Sequence, residues 1–249
     1  MKKLLLLLGG FLPLFSMAQN TEGTVTYTET VQVKIEIPEE QKEMMKNMPT
    51  SQSFTKALVF NENESLYKDP DMAENKDMEM SSESEGMSFK MVMKQPENIF
   101  YTDLESGKTI NSREFFGRNF LINGDLKNPG WKLTGEQKKV LGYVCQKATM
   151  QRDSQTVEAW FTTQIPVPAG PAGYGQLPGL ILEVSIDNGD RTITATNVDL
   201  TSPPKGAIEK PTKGKEVTQE EFDKIEAEKM KEMGEEMGGN GGMRVIIRH

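Results

Sequence analysis

The sequence predicts an all-β protein: a strongly curved, half-barrel-like antiparallel sheet with one helix at its C-terminal end. Three observations carry this. Short runs alternate apolar and polar residues with period two along much of the chain, as half-buried strands do. Turn-forming residues separate these runs, and no βαβ alternation appears. After Pro203-Pro204 the alternation gives way to the pattern of a polar helix. A twisted sheet of this kind has to cover its apolar face by closing, by curling or by receiving a helix. A curled sheet presents a concave apolar face, a natural ligand site.

Residues 1–18 precede the fold. Lys2 and Lys3 form a basic start, Leu4 to Phe15 an apolar core, and Ser16-Met17-Ala18 a small-x-small cleavage site. This is the pattern of a secretory signal peptide cleaved after Ala18. Its apolar core is shorter than the ~20 residues of a membrane span. No cysteine follows it to carry a lipid, and no later segment approaches a transmembrane length. The expected location is the periplasm or cell envelope of a Gram-negative bacterium. Removing these 18 residues from 249 leaves 231, enough for one large β domain over 19–204 and an extension over 205–249.

Thr24 to Ile37 alternates cleanly, with Val25, Tyr27, Val31, Val33, Ile35 and Ile37 on one side of the strand. Residues 38–50 are polar and Met-rich, with the character of a short helix. Phe54 to Tyr67 is again β, turning at Asn61-Glu62-Asn63-Glu64. Residues 68–86 are acidic and poor in large hydrophobes, the composition of a flexible insertion. Strands are predicted at 87–93, 98–104, 108–115, 119–122, 131–133, 137–150, 156–163, 180–186 and 191–200. Asp187-Asn188-Gly189-Asp190 joins the last two, and Asn-Gly between β runs is a strong hairpin signal. Thr218-Gln219-Glu220-Glu221 reads as a capping box opening a helix to about Met233, with Phe222 and Ile225 as docking positions. The helix is expected to be loosely attached and the tail after it disordered.

Composition narrows the function classes. The net charge of −8 becomes −10 once Lys2 and Lys3 leave, which argues against nucleic acid or an anionic membrane as partner. Cys145 is the sole cysteine, so no disulfide forms within the chain. It lies in an alternating run with Tyr143 and Lys147 and reads as a small buried side chain. The sole histidine, His249, ends the chain, so neither a Cys-His pair nor a zinc site can be assembled. No nucleophile elbow, phosphate loop or dinucleotide turn is present. Glu158 and Glu183 flank the long connection described next, without any sign of a catalytic cleft. The expectation is a non-enzymatic protein with no cofactor.

The long connection is the richest stretch for function. Between Trp160 and Val184 lie four prolines and four glycines, so neither a helix nor a central strand can form. Structureless connections beyond about 12–15 residues are uncommon and often functional. Trp160, Phe161, Tyr174, Leu177, Pro178, Gly179, Leu180 and Ile181 are the candidate surface for a hydrophobic small molecule, a lipid or an envelope protein partner. The alternative is metal handling. Sixteen methionines cluster locally, and thioethers suit Cu(I); Met44, Met45, Met48, Met78 and Met80 are the candidate ligands.

The run Q-L-P-G-L-I-L-E-V at Gln176 to Val184 resembles the signature of the GLPGLI family, secreted proteins of Bacteroidota. V-L-G-Y-V-C-Q-K-A at Val140 to Ala148, E-A-W-F-T-T-Q-I-P at Glu158 to Pro166 and G-P-A-G-Y at Gly170 to Tyr174 agree with it. The resemblance covers most of the mature chain and is most specific over 140–186. It implies an envelope location and a β-rich fold, and no catalytic residues. Gln176 departs from the motif's first glycine, so a requirement for positive φ there is not expected. By segment spacing the chain also looks like the half-barrel of periplasmic lipoprotein carriers, an analogy of fold alone.

Overall fold

The structure is a computed structural model that describes residues 20–32, 34–36, 50–70, 78–84, 87–93, 98–126, 129–152, 155–237 and 244–246. The N-terminal half gives β1 (Gly23–Gln32), β2 (Lys34–Glu36), β3 (Ser51–Phe60), β4 (Glu64–Lys68), β5 (Met78–Ser84) and β6 (Met87–Met93). Next come β7 (Asn98–Asp103), β8 (Lys108–Phe115), β9 (Arg118–Asp125), β10 (Lys132–Val140), β11 (Tyr143–Arg152) and β12 (Gln155–Thr162). After the Pro/Gly connection follow β13 (Leu180–Ile186), β14 (Arg191–Asp199), β15 (Lys215–Thr218), helix α1 (Gln219–Met237) and β16 (Arg244–Ile246).

Twelve strands form one open sheet in the order β10-β11-β12-β13-β14-β1-β3-β4-β7-β8-β9-β15. Its neighbours are antiparallel except β15, which runs parallel to β9. β5 pairs with β6, and β16 with β2, in two separate two-stranded sheets. The hairpin β5–β6 begins inside the stretch predicted to be flexible, and its backbone alone is described. The expected helix over 38–50 and the signal segment 1–18 lie outside the described residues, but for Thr50.

The sheet curls strongly. Five strand spacings separate β13 from β7, about 24 Å in a flat sheet. Yet one short 3₁₀ turn, Pro171–Gly173, touches β13, β4 and β7. The strands therefore wrap around the Pro/Gly connection. Ile165, Val167, Ala169, Tyr174 and Leu177 of that connection are all buried, in one core with Val25, Leu58 and Leu182. The Tyr27 hydroxyl donates to the Ile181 carbonyl at 2.7 Å, across the intervening strand. Burial of that phenol pushes its pKa far above the ordinary tyrosine value.

Three sequence expectations need correction. Gln176 adopts φ +64 after all; its N–H donates to the Pro168 carbonyl and the Trp131 indole donates to Gly175, which fixes the turn. The run 137–150 is two strands, because Leu141 (φ +50) and Gly142 (φ +87) turn the chain between them. The Thr218 region is firmly held: β15 adds to the main sheet, and Phe222 is fully buried against Phe120, Ile122 and Val217. The sheet is antiparallel as predicted up to its edge, where the chain returns from β14 along the outer face and β15 enters beside β9 in the same direction.

The capping box forms as the sequence predicts. The Glu221 carboxylate accepts from the Thr218 N–H at 2.7 Å, and the Thr218 hydroxyl accepts from the Glu221 N–H at 3.2 Å. Helix α1 thus starts at a fixed point and lays Phe222 on the inner face of the sheet. Among the described residues no helix is long and apolar enough to cross a membrane.

Candidate functional site

Register fixes which residues share the inner face. Val25 and Tyr27 of β1 lie opposite Leu58 and Lys56 of β3, Leu58 opposite Tyr67 of β4, and Tyr67 opposite Phe100 of β7. Phe100 in turn lies opposite Asn111 of β8, and Asn98 opposite Arg113. Because side chains alternate with period two, Glu29, Lys56, Tyr67, Asn98, Asn111 and Arg113 all project to this face. Arg191, opposite Val31 on β14, joins them. Polar side chains from six neighbouring strands therefore meet at one end of the bowl, beyond the apolar floor filled by the Pro/Gly connection.

Most of these groups are answered. Glu29 is buried and accepts from Arg191 Nε at 2.9 Å, with the Arg191 terminal nitrogen 2.8 Å from the same oxygen. Its other oxygen accepts from the Tyr67 hydroxyl at 3.1 Å. Burial raises the Tyr67 pKa well above the ordinary range; the Glu29 charge raises it further, and Arg191 opposes. Lys56 Nζ sits 2.8 Å from Asp69.

Arg113 differs. It takes part in no salt bridge among the described residues, and its Nε is buried without a hydrogen-bond partner. The Oδ1 atoms of Asn98 and Asn111 are in the same condition. The guanidinium lies 5.1 Å from the Phe222 ring centre. Burial lowers its pKa from the ordinary arginine value and Arg191 acts in the same direction, while Glu226 and Asp223 oppose. An aromatic strip leads outward from it: Phe222 stacks edge-on against Phe115, and Phe115 against Phe116. Phe116 is 55 % exposed and holds φ +49 at the tip of the β8–β9 hairpin. A bulky residue at positive φ is strained, and such strain clusters at binding sites.

The residues predicted for the surface fall elsewhere. Phe161, Tyr174, Leu177, Leu180 and Ile181 are buried and fill the core. Gly179 provides a close approach, since a Cβ there would lie 2.0 Å from the Thr162 carbonyl oxygen. Pro178 is exposed. Trp160 alternates to the face opposite Val157 and Ala159, with Lys138 Nζ 4.3 Å from its ring centre. There Lys138 pairs with Glu183 at 2.7 Å and Lys147 with Glu158 at 3.2 Å. The apolar interior is thus occupied by the chain's own connection. Cys145 is free and fully buried, and burial pushes its thiol up to about 11.

Met44, Met45 and Met48 lie outside the described residues, and Met78 and Met80 fall on β5, whose side chains are not described. Among the described residues no group of three or more His, Cys, Asp or Glu is placed to hold a metal. On the outer face an open cleft of about 300 Å³ is lined by Lys108, Asn123, Asp125 and Lys210. Lys108 and Asp125 pair with each other across it.

Sequence reasoning missed the polar mouth, although a signal was present. Glu29 stands in the apolar phase of the first alternating run, after Val25 and Tyr27. Lys56 does the same between Phe54 and Leu58. A charge in the core phase of a strand marks a site where burial has to be answered by a partner.

Comparison with known proteins follows from this geometry. A family model described as N-glycanase peptide, N-terminal domain, matches residues 87–224. Two crystal forms of PNGF-II are similar in fold. One is 19% identical, with a TM-score of 0.49, covering 81% of this chain and 33% of that one. The other, in space group C2, is 18% identical with a TM-score of 0.50, covering 81% and 32%. The chain therefore spans about a third of the length of PNGF-II. No curated protein matches it.

Proposed function

The chain belongs to the family of the N-glycanase peptide N-terminal domain, and from that premise we propose that it is a non-catalytic binding domain of an exported protein. Its ligand is a carbohydrate, free or carried on a polypeptide, held at the polar mouth of the curled sheet. The observation that carries this reading is the composition of the inner face. The apolar floor is filled by the Pro/Gly connection, so the groups left at the mouth are hydrogen-bonding ones beside an aromatic strip that ends in the exposed Phe116. Planar polar side chains satisfy ring hydroxyls, and aromatic faces stack on the apolar faces of sugar rings. The family name speaks of an N-glycanase, and the ligand class is taken from that name. Export is supported by the basic, apolar and small-residue pattern of residues 1–18 and by the resemblance of Gln176 to Val184 to the GLPGLI signature.

The test is a saturation-transfer and calorimetric titration of the full chain with a released N-glycan and with a matched peptide bearing or lacking it. Binding of the glycan and of the glycosylated peptide, lost in Phe116→Ala, is the expected result. Equal binding of both peptides, with none of the free glycan, would replace the carbohydrate with a polypeptide partner.

A further inference from the structure

We propose that Arg113, Asn98 and Asn111 form a subsite for a carboxylated sugar; this rests on the reading that the mouth takes carbohydrate. Asn98 and Arg113 face each other across the β7–β8 register, and Asn111 lies two residues along β8 on the same face. Arg113 Nε, Asn98 Oδ1 and Asn111 Oδ1 are buried atoms without a partner among the described residues. The other charges on this face each have an opposite charge within salt-bridge distance, Glu29 with Arg191 and Lys56 with Asp69, although Lys56 Nζ, too, is buried without a hydrogen-bond partner. Arg113 is the exception.

The unmet valences define the ligand. A guanidinium presents its donors in a rigid planar fork that matches a carboxylate, and that of Arg113 is partly buried, with its Nε unanswered. A neutral hydroxyl answers the hydrogen bond and leaves the charge. Arg191 adds positive potential nearby, while Glu226 and Asp223 of α1 offset part of it without forming a salt bridge to Arg113 among the described residues. The two asparagine oxygens accept only, so they call for ligand hydroxyl donors. One carboxylate flanked by hydroxyls is the chemistry of a sugar acid. Phe222, over which the guanidinium lies, holds the fork in place.

The experiment titrates the full chain with four probes: a biantennary N-glycan ending in N-acetylneuraminate, the same glycan without it, free N-acetylneuraminate and free glucuronate. The acidic glycan should bind about tenfold or more tighter than the neutral one, the scale of a charged hydrogen-bonded pair. Arg113→Gln should abolish that preference. Asn111→Ala should weaken acidic binding several-fold, and Arg113→Lys, which keeps the charge, should retain part of it should Arg113→Gln fail to fold. Equal affinity for acidic and neutral glycans, unchanged in Arg113→Lys and Asn111→Ala, overturns the subsite while the carbohydrate reading stands. Binding of the free acids as tightly as the acidic glycan supports the subsite and makes a free sugar acid the source. No binding of any saccharide overturns both.

Discussion

At Gly179 the backbone passes so close to Thr162 that no side chain fits, and φ is +152. Gly179→Ala should lower stability by about 2 kcal/mol or more, read as a fall in Tm; an unchanged Tm would mean that the two backbones can separate freely. The motif glycine is thereby explained by steric exclusion. Cys145 gives a second residue-scale expectation. Its thiol is buried and its pKa is raised to about 11, so the thiolate is scarce at neutral pH. A thiol reagent at mildly alkaline pH should leave the native protein unlabelled and modify it fully in denaturant. Rapid native labelling would expose an opening of β10–β11. The polar mouth was harder to foresee than either of these. Arg113 reads as an ordinary exposed strand residue in sequence, because nothing local says that Phe222, more than a hundred positions later, covers it.

Helix α1 shows what a short motif can and cannot reveal. Its start was legible, since Thr218 and Glu221 make the reciprocal bonds their spacing implies. Its docking was not, because the sparse apolar positions Phe222 and Ile225 hide how firmly β15 ties the segment to β9. Thr218→Ala should cost about 1 kcal/mol of helix stability, visible as faster amide exchange in the first turn of α1. The same cap is acid-sensitive. Bonds from the Thr218 N–H, and then its hydroxyl, hold the Glu221 carboxyl below the ordinary glutamate range. A lowered folded-state pKa contributes stability above the unfolded value, and this is lost as pH falls through the folded one. The protection factors of the first-turn amides, corrected for intrinsic exchange, should therefore fall on acidification below the carboxylate range, and Glu221→Gln should remove that dependence. Strands were legible wherever apolar and polar residues alternate, as in β1, β12 and β14. The split at Leu141 was missed because leucine gives no warning of positive φ.

At the scale of the molecule, curvature follows from one internal support. The sheet bends around the Pro/Gly connection because Ile165, Val167 and Leu177 have to be buried and the inner faces of β1, β3 and β13 are the apolar surfaces within reach. Leu177→Ala removes part of that support and should cost about 2–5 kcal/mol, with a lower denaturation midpoint. A near-neutral result would show that the floor collapses to fill the gap. The placement of this support has a kinetic consequence. Val25, Leu58 and Phe100 are made early in synthesis, yet the groups that cover them come from residues 165–177. β1, moreover, completes its pairing only with β14. Long-range closure of this kind slows folding. The first 160 residues should therefore emerge as an uncovered apolar surface, and the chain will depend on chaperones until the connection arrives.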